Sequence, residues 1–214
     1  MLNQFPMRRR DGQHGVTLVE LMVGIAIFGL LSALAVPSYS AWIQNTQIRT
    51  AAESIVNGLQ LARDEALRRN QSVDFVLTSD APLPTAVNSI TRAAQGPNWM
   101  VRIFEASGNY TQDPDFIQAW AGSAGTPNAR LSTTASGAQE TVRFSPLGRA
   151  AFYTAQVLTV ATQPRAELRI EVSSSAATCK LSGGDLRCLT VEMSTGGKVR
   201  VCDPFAVAPS PALC

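Results

Sequence analysis

The sequence predicts an α+β chain: one long N-terminal helix packed on an antiparallel β-sheet domain, with a disulfide-tied C-terminal end. Three observations carry this. Residues 16–36 form an apolar run with one charge, and an apolar stripe at helical spacing follows it to residue 66. Beyond Asn70 the hydrophobic period changes to two. All four cysteines, Cys179, Cys188, Cys202 and Cys214, fall near the C-terminus.

The chain has 214 residues, enough for one domain and an appendage. Its formal charge of +2 comes from the N-terminal cluster Arg8, Arg9, Arg10 and Asp11, so the remainder is balanced. Any basic surface must therefore be local. The single histidine, His14, precedes the apolar run. A chain processed after it has no histidine, which excludes Ser-His-Asp and Cys-His nucleophiles and histidine-ligated metals. No paired-acid motif stands out either, and the expectation is a protein without catalytic site, metal or cofactor.

From Val16 to Val36 the only charge is Glu20. A helix of this length spans a bilayer core, and the preceding arginines place its N-terminus in the cytoplasm. A cleaved secretory peptide would have a shorter apolar core and a small-residue cutting site; "SALAVPS" is a weak version of one. Against cleavage there, helical sequence continues past Pro37. Ile48, Ala52, Ile55, Leu59, Ala62 and Ala66 recur at steps of four and three, one narrow stripe for packing on a sheet. Asn70 fits the C-terminal end of a helix of about 50 residues, roughly 75–80 Å long, and Pro37 is expected to kink it.

"SVDFVLT" (72–78), "WMVRIFE" (99–105), "TVRFS" (141–145), "AELRIEV" (166–172), "CLTVEM" (188–193) and "KVRVC" (198–202) read as strands. The connections 79–98 and 121–139 carry few apolar residues and are expected to be exposed loops. Four clustered cysteines in an exported domain imply two disulfides. Three connectivities are open; proximity in sequence favours Cys179–Cys188 and Cys202–Cys214, and buried free thiols are the alternative.

"GVTLVELMVGIAIFGLLSALAVPSY" resembles the class III leader and N-terminal helix of type IV pilins and type II secretion pseudopilins. Gly15, Val16, Thr17, Leu18 and Glu20 match the pattern, with Val16 where phenylalanine is usual. "WIQNTQIRTAAESIVNGLQLARDEALRRN" (42–70), "RFSPLGRA" (143–150) and "GGKVRVCDP" (196–204) are similar to the minor pilins of the FimT/FimU/GspH type. The resemblance implies a type IV pilin-like fold: a leader over 1–15, a transmembrane helix over 16–36, its amphipathic continuation over 37–70, and a periplasmic β-rich domain over 71–214. It implies that a prepilin peptidase cuts between Gly15 and Val16 and methylates the new amine. The anchor then leaves the inner membrane to pack with other major and minor pilins, or with pseudopilins, in a filament.

A lone carboxylate in an apolar helix is expensive and usually functional. Pairing with the Val16 ammonium of a neighbouring subunit would give Glu20 an assembly role; snorkelling to the headgroups is the alternative. At the other end, Lys198 and Arg200 share one strand face after Gly196 and Gly197, with Lys180 and Arg187 in the preceding cysteine loop. Gly197-Lys198-Val199-Arg200 resembles the Gly-Arg-x-Arg segment through which FimT-like pilins bind double-stranded DNA, with lysine replacing the first arginine. The ordinary reading of the same residues is a solvated strand face, blunted by Asp185, Glu192 and Asp203. The sequence thus leads to a minor type IV pilin, with DNA as a candidate partner, or to a GspH-like minor pseudopilin of a type II secretion system.

Overall fold

A computed structural model describes residues 15–133, 138–153 and 167–214, with backbone only for 34–38. Helix α1 runs Leu18–Arg69. The strands are β1 Val73–Thr78, β2 Asn98–Ile103, β3 Phe116–Trp120, β4 Ala129–Ser132, β5 Thr141–Phe144, β6 Ala150–Tyr153, β7 Glu167–Ser174, β8 Leu189–Ser194 and β9 Val199–Cys202. The chain divides into two compact units at Ser40/Ala41.

In the first unit, Val16, Leu18, Val19, Leu21, Met22, Val23, Ile25, Ile27, Phe28, Leu30 and Leu31 are all exposed. Among the described residues no helix is long and apolar enough to cross a membrane. The apolar run continues by sequence through 34–36, whose side chains lie outside the described residues, as does the side chain of Pro37 on which the expected kink depends.

The second unit is built on the remainder of α1. Ile48, Ala52, Ile55, Leu59, Ala62 and Ala66, the whole predicted stripe, are 0% exposed. They form one core with residues from two antiparallel sheets, ordered β3-β2-β1-β5-β6 and β4-β7-β8-β9. Phe75, Trp99, Val142, Phe144 and Phe152 come from the first; Leu131, Leu168, Ile170, Val172, Val191 and Met193 come from the second. Strand β7 shows why period two works here: its residues alternate exposed and buried from Glu167 to Val172. The helix ends as expected at Asn70, which takes a left-handed conformation with φ 54°. The Gln71 N–H donates to the Ala66 carbonyl, the long bond of a Schellman cap. Arg68 and Arg69 both pair with Glu65 there, and the Arg68 bond holds the Glu65 carboxyl below its ordinary range.

Small residues let α1 approach the sheet. A Cβ on Gly58 would lie 2.8 Å from Phe75 Cε2 and 2.9 Å from Trp99 Cη2. Both rings are buried and pack on each other at 5.4 Å, so neither can move aside freely. Gly58→Ala is therefore expected to destabilise the protein by about 1–3 kcal/mol, although alanine in an open helix site would gain about 1 kcal/mol. Urea melts of the two chains give the sign directly.

All six predicted strands form, within a residue or two at their ends; residue 166 lies outside the described residues. Three more strands were not expected, and both supposed loops are corrected. Segment 121–139 contains β4, whose Ala129 and Leu131 are buried against β7. Segment 79–98 contains a short 3-10 helix, Pro84–Ala86, and sends Val87 and Ile90 into a second apolar cluster with Met100 and Tyr110. This cluster lies against Met100 of β2, and every residue of β1 and β2 is buried. The polar residues of 79–98 close the loop on itself: Thr78 Oγ1 donates to the Thr91 carbonyl at 2.7 Å, and the Thr91 N–H donates to Asp80 at 2.7 Å.

The first sheet also holds a buried ion pair. Asp74, 0% exposed, accepts from Arg143 Nε at 2.7 Å and Nη2 at 3.0 Å. The Arg143 guanidinium lies 3.2 Å from the Phe104 ring centroid and 4.8 Å from that of Tyr153. Burial alone would lower its pKa, but the bond to Asp74 outweighs this and the net shift is upward.

Candidate functional site

Two regions hold the residues singled out from the sequence. At the N-terminus, Thr17 precedes the first residue of α1 and Glu20 lies in its first turn. The Glu20 N–H donates to Thr17 Oγ1 at 3.2 Å, while the Thr17 N–H and hydroxyl reach Glu20 Oε2 at 3.4 and 3.3 Å. This is a capping box: each side chain satisfies a backbone donor that the helix start leaves without a partner. Sequence reasoning missed it, although Thr-Leu-Val-Glu before an apolar run is its signature. Val16 is 74% exposed, and among the described residues a Cβ on Gly15 would meet nothing within 4 Å.

At the C-terminal end, Lys198 stands just before β9, and the alternation expected of that strand breaks at its end, where Val201 is 40% exposed and Cys202 is buried. Val199 packs on the core, and Lys198 and Arg200 are exposed. The neighbouring strands supply what the sequence did not show. Register sets Glu192 opposite both Arg169 on β7 and Arg200 on β9. Arg200 Nε donates to Glu192 Oε2 at 2.8 Å, and Arg169 Nε lies 3.1 Å from Oε1. The result is a cross-strand Arg-Glu-Arg row with the acid 4% exposed and the two arginine side chains 49% and 51% exposed. The disulfides are Cys179–Cys188 and Cys202–Cys214, the pairing that proximity favoured. The second ties the tail beside this row, with the Cys202 and Cys214 sulfurs and a Glu192 oxygen within 4.8 Å of one another. Those sulfurs are bonded to each other and offer no thiolate to a metal.

The other candidates lie apart from that row. Lys180 Nζ is 5.7 Å from the Phe205 ring, so it joins the first cysteine loop to the tail. Arg187 lines a groove with Asn45, Arg49, Val201 and Asp203, to which neither Lys198 nor Arg200 contributes. Its N–H donates to Asn45 Oδ1 at 2.8 Å.

Gly197 has a packing role that the sequence did not reveal. With φ 82°, it donates its N–H to the Ser194 carbonyl in the β8–β9 turn, so this N–H is already engaged. A Cβ there would lie 3.0 Å from both Arg63 Nε and the Gly148 carbonyl oxygen. Gly148, φ 72°, meets the same Arg63 from the β5–β6 turn. The three stretches read as one family signature, 42–70, 143–150 and 196–204, therefore converge on Arg63.

Comparison with known proteins matches residues 51–176 to the family described as type II transport protein GspH. The chain belongs to that family. Residues 10–36 match the prokaryotic N-terminal methylation motif, which includes Gly15, Val16 and Glu20. Curated relatives include a fimbrial protein of Pseudomonas aeruginosa, 39% identical over 61 residues, or 28% of this chain and 39% of that protein. The type IV major fimbrial protein FimA of Dichelobacter nodosus is 43% identical over 49 residues, 23% of this chain and 30% of that protein. The matches thus span two fifths or less of those relatives. Among solved structures, the type IV minor pilin FimU of Pseudomonas aeruginosa aligns over 77% of this chain and 98% of that one, with 15% identity and a TM-score of 0.49. This GspH-family chain thus carries the N-terminal methylation motif and a long helix packed on antiparallel sheets.

Proposed function

We propose that this chain is a minor subunit of a type IV pilus, anchored by its N-terminal helix in the inner membrane until it assembles. The observation that carries the reading is the helix itself. Its apolar side chains from Val16 to Leu31 are exposed on every side in the single chain. Such a surface requires lipid or other helices around it. Cutting at Gly15–Val16 would leave a free ammonium four residues before Glu20, ready to pair with that carboxylate on a neighbouring subunit.

Duplex DNA is the partner we assign to the outer face of β7–β9. Lys198, Arg200 and Arg169 lie there, with Glu192 buried between the two arginines and the exposed Glu167 and Glu171 of β7 beside them. The pairing with Glu192 orients Arg200 and leaves its guanidinium half exposed for a phosphate. The contact is sequence-indifferent and weakens steeply with salt. A gel shift with the full-length chain in uncharged detergent should show binding at low salt that falls about tenfold or more in Lys198→Ala/Arg200→Ala. Equal shifts for both chains remove DNA binding from the proposal.

The family description favours a second reading, a minor pseudopilin of a type II secretion system. A deletion strain separates the two. Loss of pili supports the pilus; loss of protein secretion with pili intact supports the pseudopilus. Restoring the strain with Lys198→Ala/Arg200→Ala, and finding pili without DNA uptake, assigns the strand face to DNA.

A further inference from the structure

The outer face of the first sheet carries a second Arg-acid-Arg row, and here the charges do not close. Asp74 on β1 stands opposite Arg102 on β2 and Arg143 on β5. Both its oxygens accept from Arg143. Arg102 is left with the Val87 carbonyl, to which Nη1 donates, and with the Tyr110 ring 3.7 Å from its guanidinium carbon. It is 3% exposed, and its Nε is buried without a hydrogen-bond partner. Burial pushes its pKa down, as expected for a cation with too little compensation.

Arg102 and Arg143 line a cavity of about 650 Å³, together with Arg92, Phe104, Glu105 and Tyr110. Arg92 forms no ion pair among the described residues. Three arginines therefore meet two carboxylates, Glu105 at the cavity and Asp74 beneath it, and Asp74 is committed to Arg143. A buried guanidinium with an unused Nε–H beside a second, unpaired one favours an anion that accepts from both, because forked donors match a planar or tetrahedral oxyanion.

We propose that this cavity binds a small oxyanion group, phosphate or carboxylate, held by Arg102 and Arg92 with Arg143 at its flank. The Phe104 and Tyr110 rings, already stacked on Arg143 and Arg102, keep the guanidinium planes in place for it. The site is on the opposite sheet from Lys198 and Arg200, and it stands whether or not those residues meet DNA.

Calorimetric titration of the full-length chain in uncharged detergent tests this, with sodium phosphate and sodium acetate as separate probes at ionic strength fixed with chloride. Saturable binding of at least one is expected, weakened about tenfold in Arg92→Gln and more in Arg102→Met. Binding of phosphate alone assigns a phosphate group, and of acetate alone a carboxylate group. Arg92 is partly exposed, so its variant keeps the test open if Arg102→Met does not fold. Absence of saturable binding by either anion, or unchanged affinity in Arg92→Gln, overturns the proposal.

Discussion

Glu20→Ala is expected to reduce incorporation into filaments about a hundredfold or more, while the chain is still made and cut at Gly15. The proposed partner of Glu20 is the Val16 ammonium of a neighbouring subunit, and removing one member of a buried pair costs about 3–5 kcal/mol. At about 1.4 kcal/mol per tenfold, that is roughly two to three and a half orders of magnitude in assembly affinity. Glu20 has a second role that the same substitution removes: its capping bonds with Thr17, worth about 1 kcal/mol to the helix start. Glu20→Gln separates the roles, because glutamine retains the capping geometry and loses the charge. Thr17→Ala does the reverse. If charge pairing decides assembly, the glutamine variant behaves like alanine and Thr17→Ala loses little. Counting each variant in sheared filaments against its amount in whole cells measures this, and normal incorporation of Glu20→Gln would refute the pairing.

Asp74→Ala is expected to destabilise the domain by about 3–5 kcal/mol, far more than the loss of a charge at its surface. A domain of this kind has about 5–15 kcal/mol in total. The loss leaves Arg143, with its side chain 16% exposed, and the buried Arg102 facing each other without a carboxylate between them. At about 2–4 °C per kcal/mol for a chain of this size, the melting temperature falls by roughly 6–20 °C. The other row supplies the control. Arg169 and Arg200 are about half exposed and regain water when Glu192 is replaced, so Glu192→Ala should cost about 1 kcal/mol. Thermal melts followed by circular dichroism should therefore separate the two variants widely. Coincident melts would mean that Arg143 finds water or another partner when Asp74 is gone.

Much of the fold is legible without knowledge of any contact. The helix stripe is a local pattern, repeated at 3.6 residues, and it needs only that one face meets a core. Its six residues are all buried for that reason. The cysteine pairing followed proximity, with partners 9 and 12 residues apart. Strands β3, β4 and β6 were missed because they lie at sheet edges, and "ARLS" and "AAFY" are too short to show a period. Their assignment comes from hydrogen bonds to β2, β7 and β5, which are long-range. Segment 79–98 has little apolar content, yet Val87 and Ile90 suffice to close a cluster whose other side chains are Met100 of β2, Tyr110, and Phe116 and Ala119 of β3.

The candidate sites divide along the same line. The methylation motif over residues 10–36 and the apolar helix with its single carboxylate are matters of spacing along one stretch of chain, and the sequence determined them by itself. The partners of the strand charges belong to other strands, and only the tertiary structure decided them. Register placed Glu192 between Arg169 and Arg200, and Asp74 between Arg102 and Arg143. The close approach of α1 to two turns made Gly197 a packing glycine on Arg63. Electrostatic pairing and steric fit act over a few ångströms in space, and sequence spacing carries that information only within a single helix or strand.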